Sequence, residues 1–301
     1  MKKLLLASCL LLSLASACSA PKSSDPSAAT PKTLTIGAIP DQDAEKIQRL
    51  NTKLVKYLGA ELKVPVAFKP VTDYTASVTA FKVGDIDLMW FGGLTGVQAR
   101  LQVPGAEAIA QRNIDANFHS VFIANKKSGI EPIAEQKGLT VFRGKTFTFG
   151  SESSTSGRLM PQLFLSQAGV DLKGFKGQPG FSKSHDATLE LVQAGTYNAG
   201  VLNEQVWMSR LQEGKADPEK VTLVWRSPAY YDYHWLINPS VSDRFGKDFS
   251  KKVQTALLKL DPRVPEHKEI LDLFGAEKFI STQNTNYEQI EKVGRQIGKI
   301  K

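Results

Sequence analysis

The stretch FTFGSESSTSG, residues 147–157, predicts a strand that runs into a turn and then into a helix beginning near Ser156. The first turn of a helix offers N–H groups without intrahelical partners and the positive end of the helix dipole, so it attracts anions. The hydroxyls of Ser154, Thr155 and Ser156 add donors that can surround a small oxyanion. Serine and threonine are also ordinary N-cap residues, so a capped helix without a ligand is the alternative.

Two function classes fit this turn poorly. It contains neither Lys nor Arg and lacks the Gly-x-x-x-x-Gly-Lys-Ser/Thr spacing, so a nucleotide P-loop is not indicated. A Gly-x-Ser-x-Gly elbow is also missing, because the residue two positions after Gly150 is Glu152. Seating a ligand is therefore a more economical interpretation than hydrolysis by a serine with His185 as its base, and we expect no enzyme.

Strand and helix patterns alternate along the rest of the chain. Leu34–Ile39 and Ile86–Phe91 read as buried strands. Between them, Ile47, Leu50 and Leu54 recur at spacings of three and four, which indicates an amphipathic helix. Such alternation predicts an α/β fold in which a mostly parallel sheet is flanked by helices.

The pattern breaks into two halves that are joined by crossings near residues 118 and 235. We expect two lobes, with residues 33–117 plus 236–301 in lobe 1 and residues 118–235 in lobe 2. Two-lobed α/β proteins bind ligands at the carboxyl ends of their strands. A ligand cleft between the lobes is therefore expected.

The N-terminus has the pattern of an exported protein. Two lysines precede a short apolar run, which predicts a signal peptide over residues 1–17 rather than a membrane span. The sequence Ala15-Ser16-Ala17-Cys18 satisfies an ordinary signal peptidase and also resembles a bacterial lipobox. We expect Cys18 to carry lipid and residues 18–32, rich in Ser, Pro, Ala and Thr, to form a flexible tether.

Cysteine and histidine usage argues against several kinds of site. The chain has two cysteines, Cys9 in the signal peptide and Cys18 at its end, so disulfides and thiolate sites are excluded from the mature fold. The four histidines are dispersed without metal-ligand spacing, so neither a metal nor a cofactor is expected. The formal charge is +8, with basic residues spread along the chain, which favours an anionic ligand over nucleic acid.

Further ligand-binding candidates lie at predicted strand ends and helix starts. Tyr74 follows the capping residue Asp73, Phe91 ends a strand before Gly92, and His185 follows Ser184 at another helix start. Each of these side chains could instead be structural. The aromatic connector at the second crossing should also supply one tyrosine to the cleft, and we assign Tyr231, although Tyr230 and Tyr233 are alternatives.

Several of these motifs together resemble a known family. Asp73-Tyr74, Asp87-Leu88-Met89-Trp90-Phe91-Gly92, Ser154-Thr155-Ser156-Gly157 and Ser184-His185-Asp186-Ala187 are similar to motifs of the phosphate/phosphite/phosphonate-binding group of type II periplasmic binding proteins. The resemblance covers essentially the mature chain. It implies that the three hydroxyls, Tyr74 and His185 hold a tetrahedral anion, and that the partners are an ABC permease and ATPase complex.

Within that group, residues 90–100 and 150–159 resemble a subgroup described as selenate transporter binding proteins. Aminophosphonate binders carry an acidic residue in the connector, where we align Tyr233, so an ammonium partner is expected to be lost. A site made only of donors favours a fully deprotonated dianion such as selenate, whereas a carboxylate acceptor favours a protonated phosphorus anion.

We therefore expect a monomeric, membrane-tethered lipoprotein of the periplasm or cell envelope that captures a small oxyanion, with selenate as the leading ligand. The alternatives are a phosphonate-, phosphite- or phosphate-binding protein of the same family and an oxyanion sensor for a membrane kinase.

Overall fold

The computed structural model describes residues 32–301, and the predicted signal peptide, Cys18 and the predicted tether up to residue 31 lie outside the described residues. The strands of the described part are β1 (Leu34–Ala38), β2 (Val66–Phe68), β3 (Leu88–Phe91), β4 (Glu107–Arg112), β5 (Ser120–Asn125), β6 (Phe147–Phe149), β7 (Gly180–Phe181), β8 (Ala199–Asn203), β9 (Val221–Arg226), β10 (His234–Ile237) and β11 (Phe279–Ser281).

The α-helices of the same residues are α1 (Ala44–Leu62), α2 (Tyr74–Lys82), α3 (Gly93–Gln102), α4 (Met160–Gln167), α5 (His185–Gln193), α6 (Glu204–Gln212), α7 (Val241–Phe245), α8 (Phe249–Leu258), α9 (Pro265–Phe274) and α10 (Glu288–Gln296). No helix among residues 32–301 is both long enough and apolar enough to cross a membrane.

Two sheets form the centres of two lobes. The sheet of lobe 1 has the strand order β11-β4-β10-β3-β1-β2, and the sheet of lobe 2 has the order β7-β6-β8-β5-β9. The expected two-lobed α/β fold is confirmed.

The sheets are mixed, however, rather than built mostly from parallel pairs. In lobe 1, β10 pairs antiparallel with both β3 and β4, and in lobe 2, β5 pairs antiparallel with both β8 and β9. Both strands follow directly on a crossing between the lobes. Each of these two strands therefore begins at the end of its sheet that faces the other lobe. The neighbouring strands finish at that same end, so the pairing is antiparallel.

The strand that leads into the serine-rich turn is held by aromatic packing. Phe147 and Phe149 alternate with Thr148 along β6 and present their rings to one face of the sheet. The Phe147 ring stacks on Phe175 at a centroid distance of 4.8 Å and meets Phe149 edge-on at 5.0 Å. This aromatic cluster fixes the position at which the turn leaves the sheet.

The two crossings lie side by side. Phe118 and Tyr230 exchange backbone hydrogen bonds of 2.8 and 3.0 Å, and the N–H of Asp232 donates to the Asp115 carbonyl at 3.1 Å. The second crossing is therefore held against the first, and the residues that follow Tyr230 have fixed positions between the lobes.

A glycine pair tests the packing of lobe 1. A Cβ on Gly96 in α3 would lie 2.2 Å from Nε2 of the buried His234, whereas a Cβ on Gly59 in α1 would meet nothing nearer than 3.6 Å. We expect Gly96→Ala to lower the free energy of unfolding by about 1–3 kcal/mol through overpacking. Gly59→Ala should raise it by roughly 0.5–1 kcal/mol through helix propensity.

Urea unfolding of both variants measures these changes. Equal stability of the two variants would contradict the packing of His234 against α3.

Candidate functional site

The serine-rich turn forms a short π-helical segment, Thr155–Leu159, that leads into α4. The Ser154 Oγ accepts a hydrogen bond from the Gly157 N–H at 2.9 Å, so Ser154 caps the segment. The Ser156 Oγ is buried without a hydrogen-bond partner. Ser154 therefore caps the segment, while the Ser156 hydroxyl has no partner within the described part of the chain.

Lobe 1 meets this turn through the N-terminus of α3. The Leu94 N–H donates to the Thr155 Oγ1 at 2.8 Å, and the neighbouring Gly93 N–H donates to the Asp232 Oδ1 at 2.9 Å. The helix start therefore faces the turn of lobe 2 and a carboxyl group from the second crossing. N–H groups at a helix start favour a negative charge at this place.

Asp232 has an unusual environment for a carboxyl group. It is 1% exposed, and its Oδ2 has no hydrogen-bond partner. Burial raises the pKa of Asp232 to about 7, while the Gly93 N–H and the nearby hydroxyls of Thr155 and Ser156 partly offset this rise. The carboxyl can thus either accept or donate a proton near neutral pH.

A hydrogen-bond chain joins His185, Asn203 and Tyr233. The Asn203 N–H points at the His185 Nδ1 at 3.3 Å, so we assign the proton to Nε2, which lies 3.2 Å from the Tyr233 hydroxyl. The Asn203 side-chain amide donates to the same hydroxyl at 3.0 Å. Because the Tyr233 oxygen accepts from two donors, its own proton is available to a further acceptor.

Burial lowers the pKa of His185 to about 4. The imidazole is therefore neutral at neutral pH, and it acts as a hydrogen-bond donor rather than as a cation.

The carboxyl of Asp41 and the phenol of Tyr74 also belong to this group of buried side chains. The Tyr74 hydroxyl is buried without a partner, and burial raises the pKa of Tyr74 well above its usual value, with Asp41 and Asp232 adding to the rise. Burial also raises the pKa of Asp41, a shift that a hydrogen bond from the Tyr233 hydroxyl opposes. Donors and acceptors are therefore mixed at this place.

The group of side chains is enclosed between the lobes. None of its members is more than 4% exposed: Asp41, Tyr74, Ser154, Thr155, Ser156, His185, Asp232 and Tyr233. A ligand could reach them only when the lobes separate, and it would be small. Among residues 32–301 no group of three or more His, Cys, Asp or Glu side chains could hold a metal ion.

Most of the residues predicted from the sequence lie together in this cleft. Asp232 and the Ser154 hydroxyl both affect the pKa of Tyr74, and the hydroxyls of Thr155 and Ser156 affect the pKa of Asp232, so these groups are neighbours. His185 contacts Tyr233. Phe91 lies elsewhere. It is fully buried, and its ring packs edge-to-face on Phe81 at 5.7 Å, because side chains alternate along β3 and its neighbour Trp90 is the residue that stacks on Tyr233.

Tyr231 makes no contact with the other predicted residues that the described part of the chain shows. Its ring is half-buried and meets Tyr287 edge-on at 5.9 Å, whereas the neighbouring Tyr233 contacts His185. The alignment placed Tyr233 at the acidic position of aminophosphonate binders, whereas the neighbouring Asp232 brings a connector carboxyl into contact with the Gly93 N–H. Asp41 was missed as well. An acid among four aromatic residues, as in Tyr230–His234, is a sequence signal that could have identified Asp232.

Comparisons with known proteins identify the family of this chain. A profile of the family described as "ABC transporter, phosphonate, periplasmic substrate-binding protein" matches residues 36–287. A protein of Prochlorococcus marinus (strain MIT 9301), named "Probable ABC transporter phosphite binding protein PhnD1", is 47% identical over 92% of this chain and 94% of its own length. A "Phosphate-import protein PhnD" of Mycolicibacterium smegmatis is 27% identical over 81% of this chain and 80% of its own.

Solved structures show the same fold. That of PhnD1 from P. marinus in complex with methylphosphonate superposes with a TM-score of 0.88 at 47% identity, covering 90% of this chain and 100% of that one. A binding protein component of an ABC phosphonate transporter from Pseudomonas aeruginosa, at 19% identity and a TM-score of 0.73, covers 88% of this chain and 86% of its own and supports the fold alone.

The raised pKa of Asp232 predicts a pH-dependent stability. A carboxyl that binds a proton more tightly in the folded chain makes the fold less stable as pH rises from its unfolded pKa of 3.8 towards 7. We expect Asp232→Asn to remove this loss. The free energy of unfolding of the variant, relative to wild type, should rise by roughly 2–3 kcal/mol between pH 5 and pH 8.

Urea unfolding at the two pH values measures the difference. Asp248→Asn, at an exposed position, serves as the control and should follow wild type. A constant difference between Asp232→Asn and wild type would contradict the raised pKa.

Proposed function

The chain belongs to the phosphonate family of periplasmic substrate-binding proteins of ABC transporters, and on this premise we propose that it captures phosphite or a short alkylphosphonate and delivers the anion to its permease. Members of this family are transport proteins, so the chain is a binding protein and not an enzyme, and its partner is a permease and ATPase complex. The relative named for phosphite and the structure of that PhnD1 with methylphosphonate support this ligand class.

The observation that carries the proposal is the buried, unpartnered Oδ2 of Asp232. A singly protonated phosphorus anion can donate its hydroxyl to this oxygen while its other oxygens accept from Ser156, Tyr74 and the helix N-termini. Selenate and sulfate carry no proton at neutral pH, so Asp232 itself must be protonated before it can bond to one of their oxygens, and this protonation becomes more costly as pH rises above about 7. The selenate expectation therefore finds no support, and the alternative given with it is preferred.

The burial of the site's side chains supports a small substituent on phosphorus. Every polar side chain of the site is almost fully buried, so a long alkyl chain would have to displace packed residues. We also propose that Cys18 carries lipid and that the protein is a monomer.

Calorimetry on the chain without its tether tests the proposal. We expect phosphite and methylphosphonate to bind with approximately micromolar or better affinity and to exceed phosphate, 2-aminoethylphosphonate, sulfate and selenate. Four or five charge-assisted hydrogen bonds of about 1.5–3 kcal/mol each, less desolvation and ordering costs, allow such affinity. Heat from none of the anions would contradict oxyanion capture, and a preference for selenate would contradict the role given to Asp232.

Variants separate the roles of the turn and of the carboxyl. Ser154→Ala with Thr155→Ala should weaken phosphite binding at least a hundredfold, or about 2.7 kcal/mol, without unfolding lobe 2. Asp232→Asn should weaken phosphite binding at least tenfold, or about 1.4 kcal/mol, and bring sulfate and phosphite closer together, because the amide can donate to a deprotonated oxygen. Tyr57→Phe, whose hydroxyl bonds to the Ala256 carbonyl within lobe 1 at 2.7 Å, is the control and should bind like wild type.

A further inference from the structure

Asp186 joins the two lobes beside the anion site. It follows His185 at the start of α5 in lobe 2, and its Oδ2 accepts a hydrogen bond from the Asp43 N–H of lobe 1 at 2.8 Å. Asp43 is the residue that caps α1. A second bond between the lobes runs alongside, from the His185 N–H to the Asp41 carbonyl at 2.9 Å. The start of α5 is thus tied to lobe 1 by two hydrogen bonds, one of them charge-assisted.

The other oxygen of this carboxylate is held within lobe 2. Asp186 Oδ1 accepts from the Arg210 Nε of α6, and Arg210 also donates from Nη1 to Glu213. Arg210 is 4% exposed, and its hydrogen bond with Asp186 is the largest cause of its raised pKa. Asp186 therefore bridges a buried arginine of one lobe and a backbone N–H of the other.

A buried lysine of lobe 1 adds a positive charge to the seam, by which we mean the contact between α1 of lobe 1 and helices α5 and α6 of lobe 2. Lys46 on α1 is 9% exposed, and burial followed by the nearby charge of Arg210 lowers its pKa. Two cations, Lys46 and Arg210, thus face each other across the seam and repel. Glu213, Asp41 and Asp186 offset this repulsion, and of these the side chain of Glu213 is 36% exposed and is therefore screened by solvent.

The seam has little apolar packing that could replace these contacts. A cavity of about 220 Å³ lies between α1, α6 and the end of α9, lined mainly by polar side chains that include Arg49, Ser209 and Lys215. Polar contacts therefore carry much of the attraction between the lobes at this place.

We propose that Asp186 is a positioning residue that latches the lobes together and holds His185 against the bound anion. The latch sets how slowly the anion is released and leaves the choice among anions to the residues of the cleft. This inference rests on the proposed anion capture, since it concerns the same site.

Stopped-flow binding of phosphite, followed by tryptophan fluorescence because Trp90 stacks on Tyr233, tests the latch. We expect Asp186→Ala to release phosphite at least tenfold faster, with the association rate changed less than threefold and the order of anions unchanged. Glu213→Gln, which bonds the same Arg210 without touching lobe 1, should stay within about twofold of wild type. Equal effects of the two variants, or a new order of anions, would overturn the proposal.

A second pair of variants leaves the Asp186–Arg210 ion pair intact. Asp43→Pro removes the N–H that donates to Asp186 at a residue whose φ of −51° suits proline. Asp43→Ala loses the same capping oxygen but keeps the N–H, so it is the matched control. The proline variant should release phosphite at least fivefold faster than the alanine variant, and equal rates would contradict the latch.

The latch can also be tested without a ligand. The two cysteines of the chain lie outside residues 32–301, so spin labels at Lys56→Cys in lobe 1 and Glu190→Cys in lobe 2 are unique. Adding Asp186→Ala should shift their distance distribution to longer values, and an unchanged distribution would count against the latch. A wild-type chain that binds none of the anions would contradict the proposed function. The spin-label distances are measured without a ligand, so they would test the latch even in that case.

Discussion

The burial of the Asp232 carboxyl between the lobes is the constraint on which the rest of the site depends. A carboxyl cut off from water needs hydrogen-bond donors, or else it holds a proton. The protein supplies one donor at the N-terminus of α3, where Gly93 bonds to Oδ1, and leaves Oδ2 unpartnered. The chemistry of the cleft follows, because the free oxygen can accept the proton of a ligand.

The position of this carboxyl is set by the paired crossings. Asp115 holds the Asp232 backbone through its carbonyl, while its own carboxylate forms a bidentate pair with the buried Arg112. The Arg112 guanidinium lies 4.8 Å from the centroid of the Tyr233 ring and also faces Trp90 and Phe118. A buried ion pair is costly to assemble, but once satisfied it allows few alternative arrangements. These contacts of the crossing therefore hold Asp232 and Tyr233 in fixed places.

The hydrogen-bond donors of this cleft are mainly neutral. His185 is neutral because burial lowers its pKa, and the serine hydroxyls, the phenols and the helix N-termini carry no formal charge. The buried Arg158 stacks over Phe149 at 4.4 Å behind the turn. Neutral donors suit a transport protein, because they provide directional bonds without the attraction of a paired cation that would slow release.

The sequence by itself determined what depends on neighbouring residues. The turn at residues 147–157, its hydroxyls, the helix starts before Tyr74 and His185 and the two-lobed α/β fold follow from local periodicity and capping patterns. Local patterns could not predict which tyrosine of the connector faces the cleft. Tyr230, Tyr231 and Tyr233 are chemically alike, and only the pairing of the crossings decides that Tyr233 faces the cleft.

Contacts between distant segments explain the remaining errors. Phe91 lies inside lobe 1 because the direction of β3 places Trp90 towards the crossing, and Asp232 enters the site through a bond to Gly93, 139 residues away in the chain. The bond from Asp43 to Asp186 spans 143 residues. Local sequence determines which groups are available, whereas burial and long-range pairing determine which of them meet, and that pairing placed the Asp232 carboxyl among the hydroxyl and N–H donors expected from the sequence.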